Sequence, residues 1–193
     1  ADFTGVDAHV IDGNVYYIDY GMMTGSVYYN KDMWEAAGLT EADIPKTWDE
    51  MREVAKKLTI KEGDRLVQAG LNFNDDFHQN YLLGLNYQLG ENLFLEDGRT
   101  PNVNSDAMKQ TMQMLVDLYE VDKVGSKDFG EKCSDSFGQG QSAMVMQWGH
   151  YYNTLNTTWT DINFGVFEIP TFDGNPYAYN RYNGESTFGI NKN

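Results

Sequence analysis

The sequence predicts an α/β protein in which helices flank a central sheet that is largely parallel or mixed. Stretches rich in β-branched and aromatic residues alternate along the chain with stretches whose apolar residues recur at helical spacing. The connections between successive strands are long enough for crossovers, which is the arrangement of α/β folds. With 193 residues and 41% hydrophobic content, the chain can bury a core without disulfide or metal support.

The first half of the chain contains the clearest elements. Two strands are predicted over 14–20 and 26–30, because aromatic and β-branched residues cluster there between glycines. A short helix over 31–37 follows, and Thr47 and Glu50 form a capping box that opens the next helix. The apolar residues of that second helix share one predicted inward face: Trp48, Met51, Val54, Ala55 and Leu58.

The second half of the chain continues the alternation. Next come, in order, a buried strand, an apolar helix and a tight turn: 65–73, 79–89 and 96–98. Ser105 caps the following helix, whose inward face is predicted from four residues: Met108, Met112, Leu115 and Tyr119. The remaining elements are a short helix within 127–139, a short helix after Gly149, and three strands: 143–148, 163–168 and 186–190.

The charge excludes two classes of partner. The chain has 29 Asp plus Glu against 14 Lys plus Arg, a formal net charge of −15. Nucleic acids and anionic membranes are bound through lysine and arginine, so neither is expected. No apolar run approaches the roughly 20 residues of a membrane helix. The first residues lack the segments of a signal peptide, so we expect a soluble chain or one whose targeting segment lies outside it.

Several kinds of chemistry have no support in the sequence. The glycine-rich phosphate loops and the serine nucleophile elbow are missing, and no cofactor is predicted. His9, His78 and His150 lie far apart in the sequence and belong to no metal-binding motif. Cys133 permits no internal disulfide and has no catalytic pattern beside it, so an ordinary thiol is expected.

An acidic turn at Asp75 and Asp76, followed by Phe77 and His78, is a candidate site. It lies between a predicted strand and a predicted helix, where open α/β sheets bind their ligands. Two carboxylates about 5–9 Å apart would serve a glycosidase, but the sequence does not give that distance. A solvated turn in which one aspartate caps the following helix is the simpler interpretation.

Aromatic residues gather at predicted strand ends. Tyr20 ends a strand, Trp148, Tyr151 and Tyr152 surround a glycine after another strand, and tyrosines of a later loop neighbour Arg181. Such faces beside Asp, Asn and Arg suit sugars, because a pyranose has an apolar C–H face and a rim of hydroxyls. Taken singly, each residue is at least as well explained by packing.

The order of motifs resembles the extracellular solute-binding proteins of ABC importers, family 1, which includes the maltose-binding type. The resemblance is carried from 14 onward by these segments: 25–32, 34–39, 45–50, 137–144, 148–149, 164–170, 173–174 and 184–191. It implies a lobe of the type II periplasmic-binding-protein fold with a central mixed sheet. Family members are about twice as long, so 1–193 is interpreted as a single lobe, mainly the second, without the N-terminal lobe and C-terminal helices.

The resemblance also implies a function. It predicts a non-enzymatic, extracytoplasmic receptor, often a lipoprotein, that binds a sugar or oligosaccharide between two lobes and delivers it to ABC permease subunits. The alternatives are a glycan-active enzyme and a carbohydrate-binding module.

The implied ligand contacts come from three parts of the chain. The stacking aromatic maps near Trp148 or Tyr151, although the ungapped match falls on His150. The turn of Asp75, Asp76 and Phe77 matches one that reaches the cleft. Tyr20 lies at the first crossing between lobes, where Met23 departs from the family pattern, and Arg181 and Glu185 approach the second crossing.

Overall fold

The computed structural model of the protein describes residues 5–74, 82–172, 180 and 182–190. The chain divides into two compact units. The first combines residues up to 24 with residues from 182 onward, and the second spans 25–181. No described helix has the length and apolar character that a membrane crossing needs.

The described elements alternate as an α/β chain does. The strands are β1 (Val10–Ile11), β2 (Asn14–Val15), β3 (Tyr17–Asn30), β4 (Ile60–Glu62), β5 (Arg65–Gln68), β6 (Met144–Trp148), β7 (Phe164–Phe167) and β8 (Tyr182–Gly189). The α-helices are α1 (Lys31–Ala36), α2 (Trp48–Leu58), α3 (Gly84–Gln88), α4 (Asp106–Glu120), α5 (Cys133–Gly138) and α6 (Tyr151–Thr157). Short 3₁₀ helices cover Val6–His9 and Glu41–Asp43.

The first unit is built on antiparallel ribbons. Strands β1 and β2 form a hairpin whose turn residues, Asp12 and Gly13, have φ angles of 50° and 77°, the left-handed values that two-residue hairpins require. The first half of β3 pairs with β8, with Ile18 opposite Phe188. The prediction of two separate strands over 14–20 and 26–30 is therefore wrong, because β3 runs unbroken through the glycines between them.

The second unit contains the larger sheet. The second half of β3 lies between β6 and β7 and is antiparallel to both. Residues 69–72 run parallel to the β6 region through two isolated bridges, Ala69 to Ser142 and Asn72 to Val145. The predicted sheet, largely parallel or mixed, is thus antiparallel in its paired strands. Among the described residues, parallel neighbours occur only at isolated bridges, these two and one from Thr47 to Thr171.

The main core lies between this sheet and helices α2 to α4. Thr47 and Glu50 form the predicted capping box, and the predicted inward face of α2 is buried throughout. The Trp48 indole N–H donates to Gln88 Oε1 at 3.3 Å, and Gln88 Nε2 donates to the Pro170 carbonyl at 2.8 Å. This buried chain of hydrogen bonds ties α2 to α3 and to the segment after β7.

One face of α2 forms ion pairs with Asp122, which lies just after the end of α4. Asp122, whose side chain is 3% exposed, accepts from Arg52 Nε at 2.5 Å and from Lys56 Nζ at 3.1 Å. Burial alone would raise the pKa of Asp122, but the hydrogen bonds and positive charges of both partners together lower it. The buried carboxylate is therefore a paired, structural one.

Two predicted elements differ from the structure, and a third lies partly outside the described residues. The buried strand predicted over 65–73 begins as the solvent-facing hairpin strand β5, and only its continuation from Ala69 is buried. On α4 the buried residues are Met108, Thr111, Met114 and Leu118, so the inward face is rotated by one position and Met112 is 45% exposed. The helix predicted near 79–89 is described only from residue 82, and α3 covers its end.

Candidate functional site

The carboxyl end of β6 is a fixed platform. The four residues before Trp148 are buried, and Trp148 itself is half-buried opposite Gly25 of β3. The Tyr28 hydroxyl lies 3.3 Å from the Trp148 carbonyl and 3.4 Å from that of Gly149, and it donates across both. Burial raises the pKa of Tyr28, so the phenol stays protonated and keeps this donor. The Tyr28 hydroxyl therefore fixes the backbone of the turn that follows the strand.

Tyr151, a predicted ligand contact, lies in the core instead. Its side chain is 3% exposed, its hydroxyl donates to the Ser134 carbonyl at 2.5 Å, and its ring meets the edge of Tyr28 at a centroid distance of 5.3 Å. Tyr151 and Leu155 are four residues apart on α6 and both face inward. In this structure the Tyr151 ring is part of the core and is not accessible to a solute.

Tyr152 takes the outward position that was predicted for Tyr151. It is 54% exposed and packs edge-on against Phe164 with ring centroids 5.7 Å apart. His150 is also exposed, and an added Cβ at Gly149 would meet no atom within 4 Å. We call Trp148, Gly149, His150 and Tyr152 the β6-end patch: two aromatic rings and an imidazole around an open glycine. The Tyr151–Leu155 spacing is the signal in the sequence that separates Tyr152 from the core.

The segment leading to the predicted acidic turn is anchored by hydrogen bonds. The Tyr119 hydroxyl donates to Asn72 Oδ1 at 2.8 Å and accepts from the Phe73 backbone N–H at 2.8 Å. The Tyr119 ring also stacks on Phe73 with centroids 4.0 Å apart. Asn72 and Asn74 donate to the Phe129 carbonyl at 3.0 and 2.8 Å. Residues 72–74 are therefore held rigidly against α4 and the loop after it.

Several predicted site residues lie outside the described residues. They are Asp75, Asp76, Phe77 and Arg181. For Glu185 only the backbone is described, in β8 opposite Gly21. These residues stay predictions.

Tyr20 belongs to the first unit and is 77% exposed. Its ring contacts that of Phe188 edge-on, with centroids 5.5 Å apart. An aromatic side chain this exposed is available either to a solute or to another protein surface.

Within the described ranges, no three His, Cys, Asp or Glu side chains come together as a metal site. Cys133 is fully buried, and Gln147 Nε2 donates to its sulfur at 3.7 Å. What the β6-end patch offers is apolar ring faces next to a few hydrogen-bonding groups, which is the chemistry of non-covalent recognition.

Comparisons with known proteins also point to solute binding. The family model described as bacterial extracellular solute-binding protein matches residues 1–193. A curated relative, the sn-glycerol-3-phosphate-binding periplasmic protein UgpB of Brucella abortus (strain 2308), is 26% identical over 171 residues, which is 84% of this chain and 38% of the relative. The chain thus spans about two-fifths of the length of the curated relatives it matches.

Solved structures show the same fold. The maltose/maltodextrin-binding domain MalE from Bdellovibrio bacteriovorus, bound to maltotriose, is 26% identical with a TM-score of 0.66, covering 86% of this chain and 42% of that one. UspC from M. tuberculosis is 20% identical with a TM-score of 0.77, covering 95% and 50%. The predicted periplasmic-binding-protein-like fold is therefore confirmed. This protein belongs to the bacterial extracellular solute-binding proteins.

Proposed function

We propose that this chain is part of the substrate-binding component of an ABC importer and that its solute is a sugar or oligosaccharide. The observation that carries the proposal is the β6-end patch, in which Trp148 and the exposed Tyr152 flank an open glycine at the end of a rigid strand. Aromatic faces held in place by a buried strand can stack on the apolar face of a pyranose without ordering cost.

The architecture of the relatives supports the lobe interpretation. The chain covers 38% of UgpB and 42–50% of the two solved chains above. We propose that 1–193 is mainly one lobe of a two-lobed protein, in which the unit of 25–181 supplies one wall of the cleft. Closure of the second wall over the solute would produce the form that permease subunits recognise, outside the cytoplasm.

The remaining predicted contacts have defined roles in this proposal. Asp75 and Asp76 would accept hydrogen bonds from sugar hydroxyls, Phe77 would add a stacking face, and Arg181 and Glu185 would act from the second crossing. The rigid segment 72–74 supports the first group, because its hydrogen bonds fix where the acidic turn begins.

A glycerol phosphate ester is the second candidate, since the Brucella relative is named for one. A phosphate is normally held by Lys, Arg or backbone N–H groups. The sequence has no Lys or Arg between Lys132 and Arg181, the stretch that contains the β6-end patch. That part of the chain therefore favours an uncharged, hydroxyl-rich solute.

Calorimetric titration of the two-lobed parent with a panel of solutes tests the proposal. The panel is maltotriose, mannobiose, maltose, glycerol 3-phosphate and a peptide. Binding of a neutral sugar, weakened about 30-fold or more by Trp148→Ala, is expected, because losing a central stacking ring costs at least about 2 kcal/mol. Met112→Ala, at an exposed residue of α4, is the matched control.

The rival functions give different results. Sugar turnover that is lost in Asp76→Asn would indicate a glycan-active enzyme. Full-strength sugar binding by the isolated chain 1–193 would indicate a carbohydrate-binding module, because the two-lobed receptor needs a second wall for tight binding.

A further inference from the structure

A groove lies at the end of β7, at the same edge of the sheet as the β6-end patch. Strands β6 and β7 pair with the two sides of β3 and are both antiparallel to it, so they run in the same direction and end at the same edge. Neighbouring strands are about 4.8 Å apart, which places the ends of β6 and β7 about 10 Å from each other. In open α/β sheets, ligands bind beyond the carboxyl ends of the strands. All of these elements belong to the unit of 25–181.

The groove, which we call the β7-end groove, combines apolar and charged lining residues. Its volume is about 610 Å³, which lies within the range of about 300–1,000 Å³ for small-molecule sites. The apolar lining is formed by Ile44, Pro45, Phe167, Ile169 and Pro170. Three exposed charged residues complete it: Lys46, Glu50 and Glu168. Apolar surface beside carboxylate and ammonium groups matches the C–H face and the hydroxyls of a pyranose.

The two walls of the groove are fastened to each other. The Thr171 N–H donates to the Lys46 carbonyl at 3.0 Å, and the Trp48 N–H donates to the Thr171 carbonyl at 2.9 Å. The Pro170 carbonyl accepts from Gln88 Nε2 at 2.8 Å. The groove therefore keeps its shape without a ligand, which lowers the ordering cost of binding.

Glu50 is fixed as a hydrogen-bond acceptor on one wall. Its Oε2 accepts from the backbone N–H groups of Lys46 at 2.7 Å and Thr47 at 3.1 Å. These hydrogen bonds lower the pKa of Glu50, so its carboxylate stays ionised at neutral pH. Glu168 adds a second carboxylate against the one ammonium of Lys46. The excess of negative charge disfavours an anionic solute and suits a neutral, hydroxyl-rich one.

We propose that the β7-end groove is a second sugar subsite, which takes the further rings of an oligosaccharide whose first ring stacks at the β6-end patch. This inference rests on the proposed function, because it concerns the length of the bound sugar. The separation of about 10 Å is more than one monosaccharide ring spans, whereas a short oligosaccharide reaches both positions. The groove therefore makes the receptor selective for longer sugars.

Calorimetry of the two-lobed parent with two series of sugars tests the subsite. The series are maltose, maltotriose and maltotetraose, and mannobiose, mannotriose and mannotetraose. In the series that binds, the dissociation constant should fall about 10-fold or more from the disaccharide to the tetrasaccharide, because a hydrogen bond to a charged group contributes a factor of about that size.

A variant that fills the groove separates this gain from binding at the patch. Glu168→Trp should abolish the gain with length and leave disaccharide binding within about 2-fold of wild type. Glu35→Trp is the matched control, at an exposed residue of α1, a helix that begins at the opposite edge of the sheet. The control should keep the full gain.

Hydrogen exchange of the wild-type parent gives an independent readout. The tetrasaccharide should slow exchange over 44–50 and 167–171, whereas the disaccharide should not. Equal affinity for the disaccharide and the tetrasaccharide overturns the subsite and leaves the proposed function intact. A gain with length that Glu168→Trp retains also overturns it, because the further rings then lie elsewhere. If no sugar binds the parent, the proposed function and the subsite are both wrong.

Discussion

Replacing Tyr119 by Phe removes the hydroxyl that anchors the segment before the predicted acidic turn. The substitution keeps the ring stacked on Phe73 but deletes two hydrogen bonds of 2.8 Å, one to Asn72 Oδ1 and one from the Phe73 N–H. Asn72 is fully buried, so its side-chain oxygen cannot recover the lost donor from bulk water. Each net hydrogen bond contributes about 0.5–1.5 kcal/mol, and stranding a buried acceptor costs about 1–3 kcal/mol.

The expected loss is therefore about 2–3 kcal/mol in the free energy of unfolding, or about 4–12 °C in Tm for a chain of this size. Urea denaturation measures the loss, and hydrogen exchange should show the Phe73 amide exchanging faster. Tyr152→Phe, at a 54% exposed ring, is the matched control and should stay within about 0.5 kcal/mol of wild type. If Tyr119→Phe also stays within that range, the anchoring role assigned to this hydroxyl is wrong.

Three further predictions follow from the packing and charge of the second unit. Gly165→Ala should cost about 1–3 kcal/mol, because its Cβ would lie 2.3 Å from the Tyr29 ring; a variant as stable as wild type in urea would contradict this close approach. Gly149→Ala should leave stability unchanged, since its Cβ meets no atom within 4 Å, yet weaken solute binding in calorimetry if the β6-end patch forms the site. The lowered pKa of Asp122 means that the unfolded chain binds the proton first as pH falls, so the stability from this carboxylate is complete above the unfolded value of about 3.8 and is lost as pH drops through the folded pKa. Asp122→Asn should flatten that acid limb in urea titrations, and an unchanged limb would count against the pairing.

Local signals in the sequence were sufficient for part of the fold. The Thr47–Glu50 capping box and the inward face of α2 depend on neighbouring residues alone, and both are observed. Ser105 likewise caps α4 as predicted. Short-range hydrogen bonds and helical periodicity do not need knowledge of the rest of the chain.

Tertiary context decided what the sequence could not. Gly21 and Gly25 look like strand breaks, but β3 passes through both because β8 and β6 supply partners at those positions. The antiparallel pairing of β3 with β6 joins residues about 120 apart, and no local pattern encodes its direction. On α4, Thr111 is buried and Met112 is exposed. The elements packed on the helix therefore determine which face is buried, and that face is not the one with the most apolar residues.

The candidate site, like the fold, could be predicted from the sequence only in part. The position of aromatic residues at the end of β6 was evident from the strand and the glycine that follows it. Which tyrosine faces out depends on their phase on α6: the Tyr151–Leu155 spacing indicates that phase, and packing of Tyr151 against Tyr28 fixes it. Tyr152, rather than Tyr151, is therefore the aromatic residue that the structure adds to Trp148.

Calorimetry on the two-lobed parent, with the isolated chain 1–193 alongside, tests most directly whether this protein is a sugar receptor. The parent should bind at least one neutral oligosaccharide one-to-one, Trp148→Ala should weaken it about 30-fold or more, and the isolated chain should bind weakly or not at all. Binding of a peptide, metal ion or glycerol phosphate with no binding of any sugar would contradict the account.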